Sequence, residues 1–434
     1  MNERADVDEV LNWLRASAVQ LGDLAFFKEV FNGVRVIGLG EATHGTREFF
    51  ELRHNLLRYL VTELGFCHLA LEASYSATMA LNDYVLNGNG DRSDVISQLG
   101  FVMWDVQEFA AIIDWLRSYN KSATPTHQVR VHGIDVCNTR GGRQAVLDYL
   151  REAAPDKFPD AERIFKQVAL AEAKGQLAAS EVLDEEIGVG LQNLTDFCIC
   201  ARPRLTACRP VDEYLRALEH LDVIRRWVDI NFADERLPSG SRRKAVNNFS
   251  RSKYMAELLL RLLEGETSGA KVAVWAHNFH VCNGYHIATD NVIATMGSHL
   301  KAALGERYYA LGLELNRGTY LARAYAREEK ALGDFVIGTV PKAPDDSLPW
   351  HLARTGKDAF FLNLRGSTRS TVVEEWLTRT RTMHLISWAQ PREPSLYTQV
   401  NLKEGYDGVI FVDRTSPTTP TLGAQKTVAE RAGH

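Results

Sequence analysis

Residues suited to acid–base chemistry stand where an apolar run breaks off near the N-terminus. In "VIGLGEATHG" (36–45) a strand-like stretch ends on Glu41 and His44, set among glycines and threonines. An imidazole titrates near neutral pH, and a carboxylate beside it fixes its ring and tautomer, so such a pair can take a proton from water. The same kind of ending recurs: "CHLAL" stops at Glu72, "VRVHGID" at Asp135, and "KVAVWAH" at His277, with His280 three residues on. Arg53 follows on the segment after His44. A guanidinium there can pair with Glu41 or Glu72 and, with His277 or His280, stabilise negative charge on a carbonyl-derived oxyanion. This inventory suits hydrolysis by an activated water. The nucleophilic-serine route lacks its usual G-x-S-x-G signature. Glu41-x-x-His44 and His277-x-x-His280 also carry metal-ligand types at one-turn spacing, but the fixed charge of Arg53 would repel a divalent ion. No metal and no cofactor is expected.

The elements that must position these groups follow from the apolar pattern. Near-continuous apolar runs at 34–38, 67–71, 128–133, 271–276, 308–314, 320–326, 359–364 and 408–412 read as strands covered by helices on both faces. Long amphipathic stretches alternate with them, which predicts an α/β fold with a central, largely parallel sheet flanked by helices. In open sheets of this kind ligands bind beyond the carboxyl ends of the strands, where four of these runs carry their ionisable residues. Thr46 is placed to cap a helix whose apolar face uses Phe49, Leu56, Leu60 and Leu64. Arg53 falls on that same face and leans back toward the Glu41–His44 turn. From about 145 to 263 no strand is expected. Residues 143–264 read as an inserted all-helical subdomain of four helices that lines the cleft, between α/β core segments 1–142 and 265–415. Residues 416–434, polar and proline-bearing, read as a loose tail.

Composition bounds the partners. The 434 residues are 45% apolar and 24% charged, with a formal net charge of −5. That balance gives no electrostatic case for nucleic acid or an anionic membrane. The acidic, polar start has no secretory pattern, and no run of about 18 apolar residues suggests a membrane span. Six cysteines are too sparse for a disulfide framework, and Cys198, Cys200 and Cys208 fit no common zinc spacing. The expectation is a cytoplasmic protein that meets a small molecule.

The motifs "GLGEATHGTREFFELR" (38–53), "GFCHLALEAS" (65–74), "WLRSYN" (115–120), "VHGID" (131–135) and "VWAHNFHV" (274–281) resemble the erythromycin esterase family. Further matches run through "MGSHL" (296–300), "FFLNLRG" (360–366) and "YDGVIFVDRTSP" (406–417), so the resemblance spans nearly the whole chain. It implies an α/β core with a helical subdomain and hydrolytic opening of a macrolactone without a metal. It puts the general base on His44 and the supporting groups on Glu41, Arg53, Glu72, His277 and His280. Substrate contacts are expected from His280, Asp135, Trp104, Glu108 and Arg251. In the helical part the line reads "RSKYMAEL" (251–258), with Ser252 and Leu258 where the family often has Asp and Asn, and Asn363 stands where Asp is common. These departures bear on substrate more than on hydrolysis. Two other readings accompany the esterase: a biosynthetic enzyme acting on an ester, lactone or related group of a non-macrolide natural product, and a ligand- or metal-binding relative without turnover.

Overall fold

Strand registers explain why the polar residues converge. In the computed structural model, which describes residues 3–99, 101–174, 181–232, 241–265, 269–288, 291–325, 332–366, 369–388, 396–422 and 424, the early apolar runs fold as β1 (Val36–Leu39), β2 (His68–Ser74), β3 (Arg130–Asp135) and β4 (Val272–Trp275). After a hairpin of β5 (Tyr285–Ala288) and β6 (Asn291–Ala294) come β7 (Tyr308–Tyr325), β8 (Leu332–Val340) and β9 (Ala359–Asn363). A second hairpin of β10 (Thr380–His384) and β11 (Tyr397–Asn401) precedes β12 (Gly408–Thr415). The central sheet runs β3-β2-β4-β1-β7-β12-β9, with β8 on the far half of β7. It is parallel from β3 to β12 and antiparallel only at β9 and β8. Leu39 lies opposite Trp275 and Leu311, and Leu71 is also opposite Trp275. The pairing of these three neighbouring strands therefore ends level, and Glu41, Glu72 and His277, one or two residues further on, emerge on one edge.

Both faces of the sheet are covered, which is why the strands read as continuous apolar runs. Ile37, Leu39, Leu71 and Trp275 pack under the Arg47–Leu64 and Gln107–Ser122 helices through Phe49, Leu56, Leu60, Phe109 and Ile113. Val36, Ala70, Val272 and Val274 on the opposite face meet Leu14, Met255, Leu259 and Leu300.

Between Asp135 and Val272 the described residues form six helices: Arg140–Ala153, Phe158–Lys174, Glu181–Cys200, Arg202–Cys208, Val211–Phe232 and Ser241–Gly265. The first five share a core through Leu150, Phe165, Leu191, Leu221 and Trp227, whereas Ser241–Gly265 packs on the sheet through Met255 and Leu259. The count exceeds the expected four, in part because Pro203 starts a separate seven-residue helix at Arg202. Pro238 and Gly240 lie outside the described residues.

Two expected strands, 308–314 and 320–326, are one as far as Tyr325, residue 326 lying outside the described residues: β7 continues through Gly318, which holds a positive φ of 142° where a Cβ would strike Thr415 as β7 leaves β12 for β8. The expected loose tail also differs. Residues 416–422 are strapped down: Glu48 accepts from the Ser416 amide and hydroxyl, the Thr418 amide donates to the Gly45 carbonyl, and Thr421 bonds Asp105. Side-chain acceptors on neighbouring helices and loops provide this anchoring, which polarity and proline content alone do not reveal. Residues 423 and 425–434 of that expectation lie outside the described residues. No described helix is long and apolar enough to cross a membrane, and all six cysteines are free.

Candidate active site

The turn after β1 is built by close approach. The Gly40 amide donates to the Leu311 carbonyl, and the Asn278 amide to the Glu41 carbonyl. A Cβ at Gly40 would collide with Asn278, and one at Gly45 with the Leu321 main chain. Within this turn His44 Nδ1 lies 2.6 Å from Glu41 Oε1. The other oxygen of Glu41 pairs with Arg53 Nη2. Arg53 comes from the second turn of the Arg47–Leu64 helix, where Thr46 is the N-cap residue but makes no side-chain cap bond. Its Nε bonds the Phe49 carbonyl at 3.1 Å, its guanidinium lies 3.8 Å over the Trp275 ring, and its buried Nη1 has no hydrogen-bond partner.

A second cluster adjoins the first. Glu72 Oε2 accepts from the His277 amide at 2.8 Å, while Oε1 meets Arg251 Nη2 at 2.9 Å and His280 Nε2 at 3.2 Å. Arg251, from the Ser241–Gly265 helix, also grips both oxygens of the fully buried Asp135, at 3.0 and 2.5 Å. His277 bridges the clusters, its ring 4.9 Å from that of His44. Both His277 nitrogens are engaged: Nδ1 accepts from the Phe279 amide and Nε2 faces the Ile386 carbonyl at 3.2 Å. In this arrangement His277 is a neighbour of His44 with no free N–H for a substrate, so the direct charge-stabilising role expected for it has no donor.

Electrostatics follow from these contacts. Burial pulls the His44 pKa down, but Glu41 and, more weakly, Glu72 outweigh it and leave it above its ordinary 6.5. Burial raises the Glu41 pKa, yet Arg53 and His44 hold it below the usual carboxylate value. Glu72 is held well below, burial being overcome by His280 and Arg251. Burial, aided by His44, pushes His277 down to about 3, so its imidazole is neutral. Burial also lowers Arg53 to about 10 despite Glu41, which keeps it charged at neutral pH.

The structure thus brings together Glu41, His44, Arg53, Glu72, Asp135, Arg251, His277 and His280. It does not bring Trp104 or Glu108 to them. Trp104 is buried against Phe109 and Trp275, behind the Arg53 stack, because its ring completes the apolar core. Glu108 accepts from the Thr419 amide and sits near Arg47, so its carboxylate is spent on tying down the strap. Sequence reasoning missed the other wall of the site. His44 and Gly45 line a recess with Met103, Leu321, Ala322, Arg323, Phe335, Trp388 and Thr418. Most of these come from β7, β8 and loops remote in sequence, and no local spacing marks them.

The sequence profile of the erythromycin esterase family matches residues 61–415. The chain belongs to the erythromycin esterase family. It is 25% identical over 416 residues to erythromycin esterase type II of Escherichia coli, covering 91% of this chain and 93% of that protein. Its fold is similar to a crystal structure of a Bacillus cereus protein, with a TM-score of 0.80, 21% identity and coverage of 96% and 99% of the two chains. It is also similar to an erythromycin esterase mutant in its open conformation, with a TM-score of 0.70, 19% identity and coverage of 94% and 98%. Membership in the erythromycin esterase family supports a hydrolase, and the mostly parallel sheet flanked by helices is the fold of these relatives.

Proposed function

We propose that this protein hydrolyses a small-molecule ester or lactone with His44 as general base. The observation that carries the reading is the buried Glu41–His44 pair, 2.6 Å apart, with Arg53 on the second carboxylate oxygen. Glu41 accepts from Nδ1 and leaves Nε2 as the nitrogen that takes a proton from water. The resulting hydroxide adds to the carbonyl carbon, and the oxyanion that forms is an acceptor for the unpartnered Nη1–H of Arg53. Collapse breaks the bond between the carbonyl carbon and the leaving oxygen, which receives the proton from imidazolium. An acid and an alcohol result, or one hydroxy acid from a lactone. Glu72, Arg251 and Asp135 hold His277 and the neighbouring sheet edge in place. Six free cysteines support a reducing, cytoplasmic setting.

The test is His44→Asn assayed on a panel of esters and lactones, macrolactones included, with folding checked by a retained melting transition. Loss of turnover on a substrate that the wild type cleaves is the expected result. Unchanged hydrolysis by the folded variant sinks the mechanism.

A further inference from the structure

Strand β1 leaves the sheet ladder while β7 runs on, and one side chain takes the vacated place. β1 lies between β4 and β7, and its pairing with β7 runs to Leu39 opposite Leu311. The Gly40 amide adds one more bond, to the Leu311 carbonyl at 2.8 Å. A parallel pair continued at this register would next join the Leu313 amide to the Gly40 carbonyl and the Leu313 carbonyl to the Ala42 amide. The Asn278 carboxamide fills both positions instead. Its Oδ1 accepts from the Leu313 amide at 3.1 Å, and its Nδ2 donates to the Leu313 carbonyl at 2.7 Å. Leu313 and Asn278 are both buried, so without the carboxamide two main-chain groups of a central strand would lose a partner.

This substitution is what allows the Glu41–His44 turn. Were β1 to continue as a strand, a rise of about 3.3 Å per residue would set Glu41 and His44 roughly 10 Å apart, on opposite faces of the sheet. Off the ladder they come to 2.6 Å. The main chain of Asn278 holds the same turn. Its amide donates to the Glu41 carbonyl at 2.8 Å, and its own carbonyl accepts from the buried Tyr406 hydroxyl at 3.2 Å. At Gly40 a Cβ would strike the Asn278 carboxamide, so the fit is close on that side as well.

We infer that Asn278 is the positioning residue of the Glu41–His44 pair: its side chain stands in for β1 beside Leu313 while its amide pins the Glu41 carbonyl, which aims the carboxylate at Nδ1 of His44. It acts through Glu41 and is no part of the reacting set. Its bearing on turnover rests on the hydrolase reading; its bearing on the His44 ring does not.

The ring can be read without chemistry. Protein labelled with carbon-13 at histidine Cε1 is titrated by NMR, His44 being the resonance missing from His44→Asn. In Asn278→Ala the turn loses its side-chain anchor and Glu41, which favours the charged ring, is held less closely to it. The His44 midpoint should fall by about half a pH unit or more. On an ester that the wild type cleaves, kcat should fall by about tenfold or more while KM changes little. Asn120→Ala controls for lost stability alone. The buried Asn120 carboxamide likewise bridges main-chain groups, of Val129 and Val85, but at the opposite end of β3 from Asp135. That variant should melt at a lower temperature with the His44 midpoint and kcat in place. Tyr406→Phe, which removes only the hydroxyl behind Asn278, is the milder variant should Asn278→Ala not fold, with a smaller shift in the same direction. A His44 midpoint unmoved in folded Asn278→Ala, or in Tyr406→Phe where that variant takes its place, overturns the inference, as does an equal shift in Asn120→Ala. A lowered midpoint in a protein that cleaves no ester leaves the inference standing and removes the hydrolase reading.

Discussion

At the scale of single residues the proposed base is His44, and its environment fixes the direction of the pH response expected of it. Only the neutral imidazole can accept a proton, so kcat/KM should fall as the pH drops through the His44 pKa. Burial lowers that pKa, but Glu41 and Glu72 together raise it by more, for a net value above 6.5. The acidic limb should therefore lie above the ordinary histidine range. Arg53 acts in the opposite sense, its positive charge disfavouring imidazolium. Arg53→Met should move the acidic limb to higher pH and, by removing the donor to the oxyanion, cost about a hundredfold in kcat, or roughly 3 kcal/mol. A pH–rate profile of both proteins checks this, and a limb that stays put or moves down would separate the observed titration from His44. Glu41, His44, Arg53, Glu72 and the His277–His280 pair were legible because each sits at a strand end or a helix position that sequence periodicity locates. Trp104 and Glu108 were misplaced because a tryptophan and a glutamate near a helix start look alike whether they face a substrate, a core or a strap.

Secondary elements set the geometry through two contacts whose removal should be costly in different ways. Arg251 joins the Ser241–Gly265 helix to the sheet edge by gripping Asp135 and Glu72. Arg251→Met leaves two buried carboxylates without their shared cation, a loss on the order of 3–5 kcal/mol by urea denaturation at pH 7. The sign of its pH dependence follows from Glu72, whose pKa is depressed against the pull of burial by His280 and Arg251. A depressed carboxyl stabilises the fold above its unfolded pKa and loses that stabilisation as pH falls through the folded value. The gap between variant and wild type should therefore narrow in acid; a gap that widens there would place the effect elsewhere. Gly45→Ala tests the second contact. The added Cβ meets the Leu321 main chain, which has no flexible end to swing away, so β7 and the turn must part. A lower melting temperature together with a kcat loss is expected, whereas a variant as active and stable as the wild type would mean that the close approach is dispensable. Strands β1 to β4 were readable because burial on both faces leaves an unbroken apolar run. The β5–β6 and β10–β11 hairpins and β8 were not, because polar residues interrupt those segments and tertiary pairing alone makes them strands.

Across the whole molecule the site is assembled from pieces far apart in sequence, and the C-terminal strap is the clearest case. Periodicity and strand-end chemistry carry information about a residue and its near neighbours, so the sheet and its polar edge could be read in advance. The wall opposite His44 depends on where β7 crosses the Gly45 turn and on where the chain returns after β12, and these are set by topology alone. Residues 416–422 illustrate the difference: composition reads as loose, while Glu48, Gly45, Asp105 and Glu108 each supply an acceptor that holds them. Replacing 416–422 by a Gly/Ser segment of equal length removes the Thr418 wall and its side-chain anchors but keeps the length of chain that follows β12. Glu41, His44 and Arg53 are untouched, so the chemical step should remain and kcat for an ester that the wild type cleaves should change little. Loosening this wall should raise KM for that ester, with a modest fall in melting temperature. Steady-state kinetics and a melting curve measure this directly. If KM is unchanged while the melting temperature falls, the strap supports the fold and takes no part in seating the substrate.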